Sequence, residues 1–550
     1  MKFRLIAAAL AVTFPLGASA QSAPATAAVA APTPKLIVAI SVDQFSADLF
    51  AEYRPLFTAG LRRMQSGVVF PSGFQSHSAT ETCPGHSTIL TGSHPARTGI
   101  VANDWFDQSL SRPDKKVYCT EDPTVPGSSS SNYTVSPQFL KAQTLGDRMK
   151  ALNPQSQVVS VAGKDRAAIM MGGHVIDQPW YWAGKSFVTL NTNTKPVPAT
   201  VEKVNAAVAA AMAKPAAAAL PAVCKAHAIT VAVADKELGA PHERKAGDYG
   251  AFRTSLEFDR AITDVAVGLI RELKLGQGAA PDVLSIGLSA TDFVGHAYGT
   301  EGAEMCAQLL GVDENVGRIL AALDATHTPY VVVLTADHGG HDMPERNQLH
   351  AMPDAMRANP ALLPSNMSKQ LAAEFGLKGP VLVGSAPFGD IYLARDIPDA
   401  LKPRVLEAAR AHYLAYPQVA AVFTARELRR MPSPSGPVDE WTLAERFKAN
   451  FDPERSGDLL VALKPHVTPV PDAHLLVATH GSPWNYDRRV PMLFYRPGTT
   501  GFEQPLPVET VDILPTLAAL ISLPITASEI DGRCLDLDPT GVDTCASVKN

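Results

Sequence analysis

Short and almost uninterrupted apolar runs recur along this chain, and they restrict its possible folds more than any other feature. The first run, Leu36–Val42, contains a single hydroxyl residue and ends directly before Asp43. This composition is typical of a strand that is buried on both faces in a parallel sheet. Similar runs are Val158–Ala162, Val283–Leu288, Tyr330–Thr335, Leu459–Leu463, Leu475–Ala478 and Met492–Tyr495. We therefore expect a set of buried strands separated by long connections.

Helical stretches lie between several of these runs. Their ranges are Phe139–Leu152, Ser255–Leu273, Ala303–Leu323 and Pro403–Tyr413. Strands that alternate with helices predict an α/β fold, with a doubly wound and mostly parallel central sheet flanked by helices. In such sheets, ligands bind outside the carboxyl ends of the strands. Asp43, Asp292 and Asp337 are expected at that edge.

The rest of the chain is organised around this predicted core. One large domain is expected over residues 36–550. Residues 171–250, which include an alanine-rich stretch, and residues 344–454, which include Pro/Ser turns, look like insertions. We expect these two insertions to form lobes that cover the site.

The first residues have the pattern of a secretory signal. Lys2 and Arg4 precede an apolar run, and small residues end at Ala20, so residues 1–20 are predicted to be removed after Ala20. Residues 21–35 form an Ala/Pro/Thr-rich leader that we expect to be flexible. No later run reaches the roughly 18 apolar residues of a membrane span. We therefore predict a periplasmic or secreted protein without a membrane span.

The charge and the cysteines give weaker constraints. The formal net charge is −6, and nucleic-acid-binding proteins usually carry a basic excess, so no nucleic acid is expected as a dedicated partner. The six cysteines permit disulfides in an exported chain, but they show no Cys-x-x-Cys spacing. Cys534 and Cys545 either close a short loop or remain unpaired, and the spacing does not decide the other pairings.

Thr82 is the candidate nucleophile. It precedes a Pro-Gly pair and a helix-like run, so its hydroxyl is expected at a helix start, where backbone N–H groups favour anions. A threonine in this position is more often a helix N-cap. The reactive interpretation depends on other residues that the fold brings to the same edge of the sheet.

Two groups of candidate metal ligands follow the predicted strands. Asp292 and His296 are four residues apart, so a helical turn puts them on one side, and His480 follows another apolar run. These three side chains can hold one zinc ion and leave a position open. Each histidine alone is more often a satisfied polar residue than a ligand.

The second group contains Asp337 and His338, which are followed by two glycines. Adjacent side chains on a strand point to opposite faces, so these two can share a metal only where the chain has left the strand. Asp43 and Thr82 complete a second tetrahedral site. A divalent cation there makes the Thr82 alkoxide accessible near neutral pH.

Taken together, these motifs resemble the alkaline phosphatase superfamily. The matching pieces are Asp43, Thr82–His86, His94–Asn103, Asp292–His296, Asp337–Gly339, His480–Gly481 and Val511–Leu517. The resemblance extends over residues 35–531 and is interrupted by the two insertions. It implies two Zn²⁺ ions, one held by Asp43, Thr82, Asp337 and His338 and the other by Asp292, His296 and His480.

Lys164 and Arg166 indicate the subgroup. Two cations separated by one residue can point the same way and hold the oxygens of a dianionic phosphate. The arrangement is similar to the PafA-type bacterial alkaline phosphatases, relatives of the type I phosphodiesterases and nucleotide pyrophosphatases. The resemblance implies that Asn103, Lys164 and Arg166 bind substrate and that Thr82 is the nucleophile.

Two departures from other superfamily members limit the assignment. The acidic ligands of a third, magnesium site have no counterpart that we can place, so no magnesium is assigned. Sulfatases open their signature with a Cys or Ser and carry an arginine four residues later. Here Thr82 opens the stretch and His86 stands at the arginine position.

The resemblance implies an alkaline phosphatase that hydrolyses phosphate monoesters with broad specificity through a covalent phosphothreonine. The first alternative is a phosphodiesterase or nucleotide pyrophosphatase on the same fold, whose substrate carries less charge and a second substituent. The second alternative is an exported zinc- or phosphate-binding protein without activity.

Overall fold

The computed structural model describes residues 31–193, 195–239 and 243–548, and a ten-stranded sheet forms its centre. The strands are β1 (Leu36–Val42), β2 (Val68–Phe74), β3 (Val158–Ala162), β4 (Gln178–Trp182), β5 (Phe187–Val188), β6 (Asp282–Leu288), β7 (Tyr330–Thr335), β8 (Arg489–Tyr495), β9 (Phe502–Glu503) and β10 (Val508–Glu509). Their order is β9–β2–β8–β7–β1–β6–β3–β4–β5, and β10 pairs with β2. The predicted signal (1–20) and most of the predicted leader (21–35) lie outside the described residues.

The middle of the sheet is parallel. Strand β1 pairs with β6 and with β7, and β3 joins β6 to β4, all in the parallel sense. Strand β8 runs antiparallel to both β7 and β2, and β5 is antiparallel to β4. The predicted mostly parallel α/β sheet is confirmed. Since β1, β3, β6 and β7 end at the same edge, the residues that follow them are brought together there.

Helices cover both faces of this sheet. Val38 of β1 lies in the larger hydrophobic core, together with residues of helices Leu256–Glu272 and Ala303–Asp324. Ile37 lies in a second core with helix Ile513–Leu520. Because side chains alternate along a strand, β1 contributes to both cores, which explains its uninterrupted apolar sequence.

The other helices follow the chain between and around the strands. They are Ala47–Tyr53, Gly60–Met64, Thr82–Ile89, Pro95–Thr98, Leu145–Leu152, Asp165–Gly172, Ala199–Met212, Tyr249–Arg253, Ala290–Tyr298, Pro344–Leu349, Pro364–Phe375, Lys402–Leu414, Ala425–Arg430, Leu443–Asn450 and Asn485–Arg488. The helix predicted from residue 139 begins only at Leu145. The Thr144 side chain caps it together with Asp147 in a reciprocal capping box, which sets the start.

A second, antiparallel sheet forms outside the core from strands Leu382–Val383, Gly389–Leu393, Leu459–Leu463 and Val419–Thr424, in that spatial order. The apolar run Leu459–Leu463, which we expected in the central sheet, therefore belongs to this second sheet. The expected strand at 475–478 does not form. A short apolar run indicates burial but does not say which sheet buries it. Conversely, β4 lies within the stretch 171–250 and yet extends the central sheet.

Within the described residues, four further strand pairs form separate two-stranded sheets. They are Asp104–Phe106 with Lys116–Tyr118, Ala216–Ala217 with Glu243–Arg244, Val231–Val233 with Lys236–Leu238, and Met356–Arg357 with Val467–Thr468. The described part of the chain contains no helix that is both long and apolar enough to cross a bilayer.

All six cysteines are paired. The bonds are Cys83–Cys119, Cys224–Cys306 and Cys534–Cys545. The last pair closes the short loop that the sequence left open. The first pair joins the helix of Thr82 to the residue after strand Lys116–Tyr118.

Candidate active site and metal centre

Thr82 is the first residue of helix Thr82–Ile89, and Glu81 occupies the N-cap position. Thr82 is only 1% exposed. Its Oγ1 accepts hydrogen bonds from Lys164 Nζ at 3.3 Å and from Arg166 Nη2 at 3.4 Å. The hydroxyl is therefore directed at two cations and does not cap its own helix.

A glycine allows this helix to approach the end of β7. A Cβ atom at Gly85 would lie 1.9 Å from the carbonyl oxygen of Asp337. Any side chain at this position would push the helix and the Asp337 loop apart. The Pro-Gly pair after Thr82 therefore serves this close contact as well as the helix start.

Asp43, Asp337 and His338 form the first cluster of possible ligands. His338 Nε2 lies 3.4 Å from Asp43 Oδ1 and 3.4 Å from Asp337 Oδ2. Asp43 follows β1, and Asp337 follows β7, which pairs directly with β1. The side chains of Asp337 and His338 converge because the chain has left the strand after Thr335.

The second group of possible ligands is Asp292, His338 and His480, so His338 belongs to both groups and His296 lies beside this one. His296 and His480 are the two histidines that the sequence predicts for this site. Both histidines place Nε2 at 3.2 Å from Asp292 Oδ1. Asp292 and His296 lie one turn apart on helix Ala290–Tyr298. The rings of His480 and His338 stack at 3.6 Å between centroids, so His338 lies close to both clusters.

The histidines are oriented for metal binding by their Nδ1 atoms. These atoms lie 2.9 Å from the Ala478 carbonyl for His296, 2.9 Å from the Gly339 carbonyl for His338 and 2.8 Å from the Thr80 carbonyl for His480. A carbonyl oxygen accepts, so Nδ1 carries the proton in each case and Nε2 keeps its lone pair. In all three rings, the nitrogen with the free lone pair, Nε2, faces the carboxylates.

Several buried polar atoms at the site have no hydrogen-bond partner within the described residues. They are Asp43 Oδ1, Asp292 Oδ1, Asp337 Oδ2 and His338 Nε2, whereas Asp43 Oδ2 forms an ion pair of 2.7 Å with Lys164 Nζ. Orphaned buried carboxylate oxygens are costly unless a cation compensates them. The donor set and its unsatisfied atoms therefore fit divalent metal ions.

The charges of this centre are strongly coupled. Burial and the neighbouring Asp337 raise the pKa of Asp43 well above its usual value. Burial also disfavours the charged form of Asp292, but interactions with the neighbouring His296 and Lys164 hold its pKa well below the usual range. Positive charge at the centre therefore decides which carboxylates are ionised.

Lys164 and Arg166 donate to the Thr82 hydroxyl, and Asn103, the third predicted substrate-binding residue, lies beside Thr82. Lys164 and Arg166 flank the start of helix Asp165–Gly172, just after β3. Asn103 Oδ1 accepts a hydrogen bond of 2.8 Å from the backbone N–H of Cys83. The backbone N–H of Asn103 donates to Glu81 Oε2 at 2.7 Å. Asn103 is thus bonded to the residues on both sides of Thr82.

Sequence reasoning missed the tyrosines behind Arg166. Tyr118 Oη accepts a hydrogen bond of 3.2 Å from Arg166 Nη1 and donates one of 2.8 Å to Asp165. Tyr133 Oη also donates to Asp165, at 2.8 Å. The only available signal was Cys119, which follows Tyr118 and pairs with Cys83, but that pairing is not readable from spacing.

His86 was considered only as a departure from sulfatases. Its Nδ1 lies 2.9 Å from the Thr82 carbonyl and 3.1 Å from Asp337 Oδ2. It therefore links the helix of Thr82 to the first cluster. The predicted insertion 344–454 also reaches the site through Phe388. A Cβ atom at Gly481 would come within 3.2 Å of the Phe388 ring.

Comparisons with known proteins agree with this geometry. Residues 37–483 match the family described as type I phosphodiesterase / nucleotide pyrophosphatase. The chain is 55% identical over 515 residues to alkaline phosphatase PhoD of Zymomonas mobilis, covering 93% of this chain and 89% of that protein. It is 52% identical over 524 residues to alkaline phosphatase PhoK of a Sphingomonas species, covering 94% of each chain.

The crystal structure of wild-type alkaline phosphatase PafA superposes with a TM-score of 0.80 at 26% identity, covering 92% of this chain and 99% of that one. The expected fold and superfamily are confirmed by this match and by the relatives. The chain therefore belongs to the type I phosphodiesterase / nucleotide pyrophosphatase family and, within it, to the PafA-type alkaline phosphatases.

Proposed function

We propose that this protein is an exported two-zinc alkaline phosphatase that hydrolyses phosphate monoesters of varied structure through a phosphothreonine at Thr82. The observation that carries the proposal is the position of the Thr82 hydroxyl, within hydrogen-bond distance of both Lys164 and Arg166 and beside two clusters of possible metal ligands. The alkaline phosphatases among its relatives support hydrolysis of phosphate monoesters.

Seven side chains would hold the metal ions. Asp43, Thr82, Asp337 and His338 would hold one zinc ion, and Asp292, His296 and His480 the other. When bound, zinc makes a hydroxyl or a water more acidic and stabilises a leaving-group oxygen. The same N/O donor set suits several divalent ions, and zinc is proposed from the family resemblance.

Thr82 acts as the nucleophile. Its Oγ1 attacks phosphorus in line, the bond from phosphorus to the ester oxygen breaks, and the alcohol departs on the opposite side. A water then attacks the phosphothreonine, releases inorganic phosphate and restores the Thr82 hydroxyl. Burial of Thr82 keeps bulk water away from the first step.

Lys164, Arg166 and Asn103 recognise the phosphoryl group. The two cations offer charge-assisted hydrogen bonds to non-bridging oxygens, and the hydrogen bond that Arg166 donates to Tyr118 fixes the orientation of its guanidinium. A monoester dianion carries more charge on these oxygens than a diester monoanion. The Lys164/Arg166 pair therefore favours monoesters over the phosphodiesterase alternative.

The test compares aryl phosphate monoesters and diesters with the same leaving group, using the mature protein before chelation, after chelation and after zinc is restored. We expect monoester-selective turnover that disappears with the chelator and returns with zinc. Diester-selective turnover would favour the phosphodiesterase. Tight phosphate binding by the zinc-loaded protein without any turnover would favour the binding-protein alternative.

Export is part of the same proposal. Three disulfides are typical of proteins that fold in an oxidising compartment. We expect N-terminal sequencing of the protein from a periplasmic or culture-medium fraction to begin at Gln21. Recovery of the full chain from the cytoplasm would contradict export.

A further inference from the structure

A cleft of about 620 Å³ opens beside the proposed phosphate-binding residues. Lys164 and Arg166 line one part of it, and Trp182, Arg253 and Phe293 line another. The cleft is wide enough for more of a substrate than its phosphoryl group. Its lining therefore bears on which alcohols the enzyme accepts.

Arg253 is a third cation in this cleft. It is the last residue of helix Tyr249–Arg253, and its Cζ lies 4.7 Å from the centroid of the Phe293 ring. Lys164 Nζ lies 5.1 Å from the same centroid. Both cations therefore contact the same aromatic ring. Their attraction to the ring keeps Arg253 close to Lys164 although the two side chains carry like charges.

Within the described residues, the guanidinium of Arg253 has no hydrogen-bond acceptor. Across residues 31–193, 195–239 and 243–548, no carboxylate or carbonyl forms an ion pair or hydrogen bond with it, whereas nearby Arg244 is paired with Glu257. Burial lowers the pKa of Arg253, and no described carboxylate opposes that shift. Its N–H donors thus remain available to a ligand in the cleft.

The position of Phe293 assigns Arg253 to the leaving-group side. Phe293 directly follows Asp292 on helix Ala290–Tyr298. In the proposed mechanism, the attacking Thr82 belongs to the other metal site, which leaves the site of Asp292 to support the departing oxygen. Phe293 contacts both Lys164 and Arg253, so an alcohol on the Asp292 side of the phosphoryl group shares one cleft with Arg253.

We propose that Arg253 is a specificity-determining residue that binds a second anionic group, a carboxylate or a further phosphate, carried by the leaving alcohol of the substrate. This inference rests on the proposed phosphatase function. It adds that the enzyme prefers monoesters whose alcohol carries a separate anionic group over monoesters of uncharged alcohols. Because the site is partly exposed, the preference decreases at high ionic strength.

The test uses two monoesters that differ in one charge: phenyl phosphate and 3-carboxyphenyl phosphate, whose phenols have similar acidity. We expect Arg253→Gln to lower kcat/KM for the carboxylated ester about tenfold, as one charge-assisted hydrogen bond is lost. Turnover of phenyl phosphate should stay unchanged, and Arg253→Lys should retain part of the preference. A second pair, glycerol phosphate and glycerol bisphosphate, tests a phosphate as the second anion.

Arg62→Gln is the matched control, because it removes the same charge from an exposed arginine that does not line the cleft. Equal losses on both esters in Arg253→Gln, or an equal effect of Arg62→Gln, would overturn the inference. An unchanged ratio between the esters would overturn it as well. If the zinc-loaded wild type does not hydrolyse phenyl phosphate, the proposed function fails first and the inference fails with it.

Discussion

Lys164 Nζ lies 2.7 Å from Asp43 Oδ2. The same nitrogen lies 2.5 Å from Asp292 Oδ2 and 3.3 Å from Thr82 Oγ1. One buried cation therefore contacts a carboxylate from each cluster together with the proposed nucleophile. Its positive charge offsets part of the negative charge of both clusters, so changes at Lys164 should affect more than one property of the enzyme.

Lys164→Ala should abolish the preference for monoesters. We expect kcat/KM for an aryl phosphate monoester to fall about 100-fold, as for the loss of one transition-state donor. The value for a diester with the same leaving group should fall less, because the diester has one charge fewer to stabilise. Lys369→Ala on the exposed face of helix Pro364–Phe375 is the control. Equal losses on both substrates would contradict the assigned role.

Thr82→Ala should remove the covalent intermediate. We expect kcat to fall by about four orders of magnitude, because no other hydroxyl takes over the attack. Acid quenching of the wild type with a radiolabelled monoester should trap label on the protein, and the variant should trap none. Thr82→Ser, which keeps a hydroxyl, should retain both labelling and activity. Substantial turnover by zinc-loaded Thr82→Ala would refute the phosphothreonine.

Tyr118→Phe should weaken the hold on Arg166 without unfolding the protein. The change removes one hydrogen bond to Arg166 and one to Asp165. We expect the monoester-to-diester ratio to fall several-fold, while the melting temperature changes little. Tyr133→Phe, which loses a bond to Asp165 but none to Arg166, is the matched control and should affect the ratio less. A shift in melting temperature alone would indicate a purely structural role.

His174 should contribute stability only at lower pH. Its hydrogen bond to Asp147 raises the pKa of His174 above the usual value, and its other nitrogen faces the Leu140 carbonyl. The stabilisation is therefore complete below the unfolded-state pKa and is lost as the pH rises through the raised folded-state pKa.

The comparison is the free energy of unfolding of the wild type and of His174→Gln, measured by denaturant titration at about pH 6 and about pH 9. We expect a cost of about 1 kcal/mol or less at the lower pH, because the side chain is partly exposed. The cost should shrink at the higher pH. A cost that grows with pH would show that the ionised pair is not the source.

Local patterns in the chain were sufficient to identify the core and the chemistry. The alternation of apolar strands and helices predicted the parallel centre of the sheet, because strands buried on both faces must be apolar throughout. The same patterns marked Asp43, Asp292 and Asp337 as residues beyond strand ends. The candidate roles of these residues remain predictions until metal binding is measured.

Other features required the fold. The position of Leu459–Leu463 in the second, antiparallel sheet depends on residues that are distant in sequence, and so do the contacts of Tyr118 with Arg166 and of Arg253 with Phe293. Thus the sequence by itself determined most of the central strands and helices and which side chains are able to act as ligands, since these follow from side-chain polarity and local spacing. Only the tertiary structure decided which side chains meet, because contacts between distant segments depend on packing and leave no periodic signal in the chain.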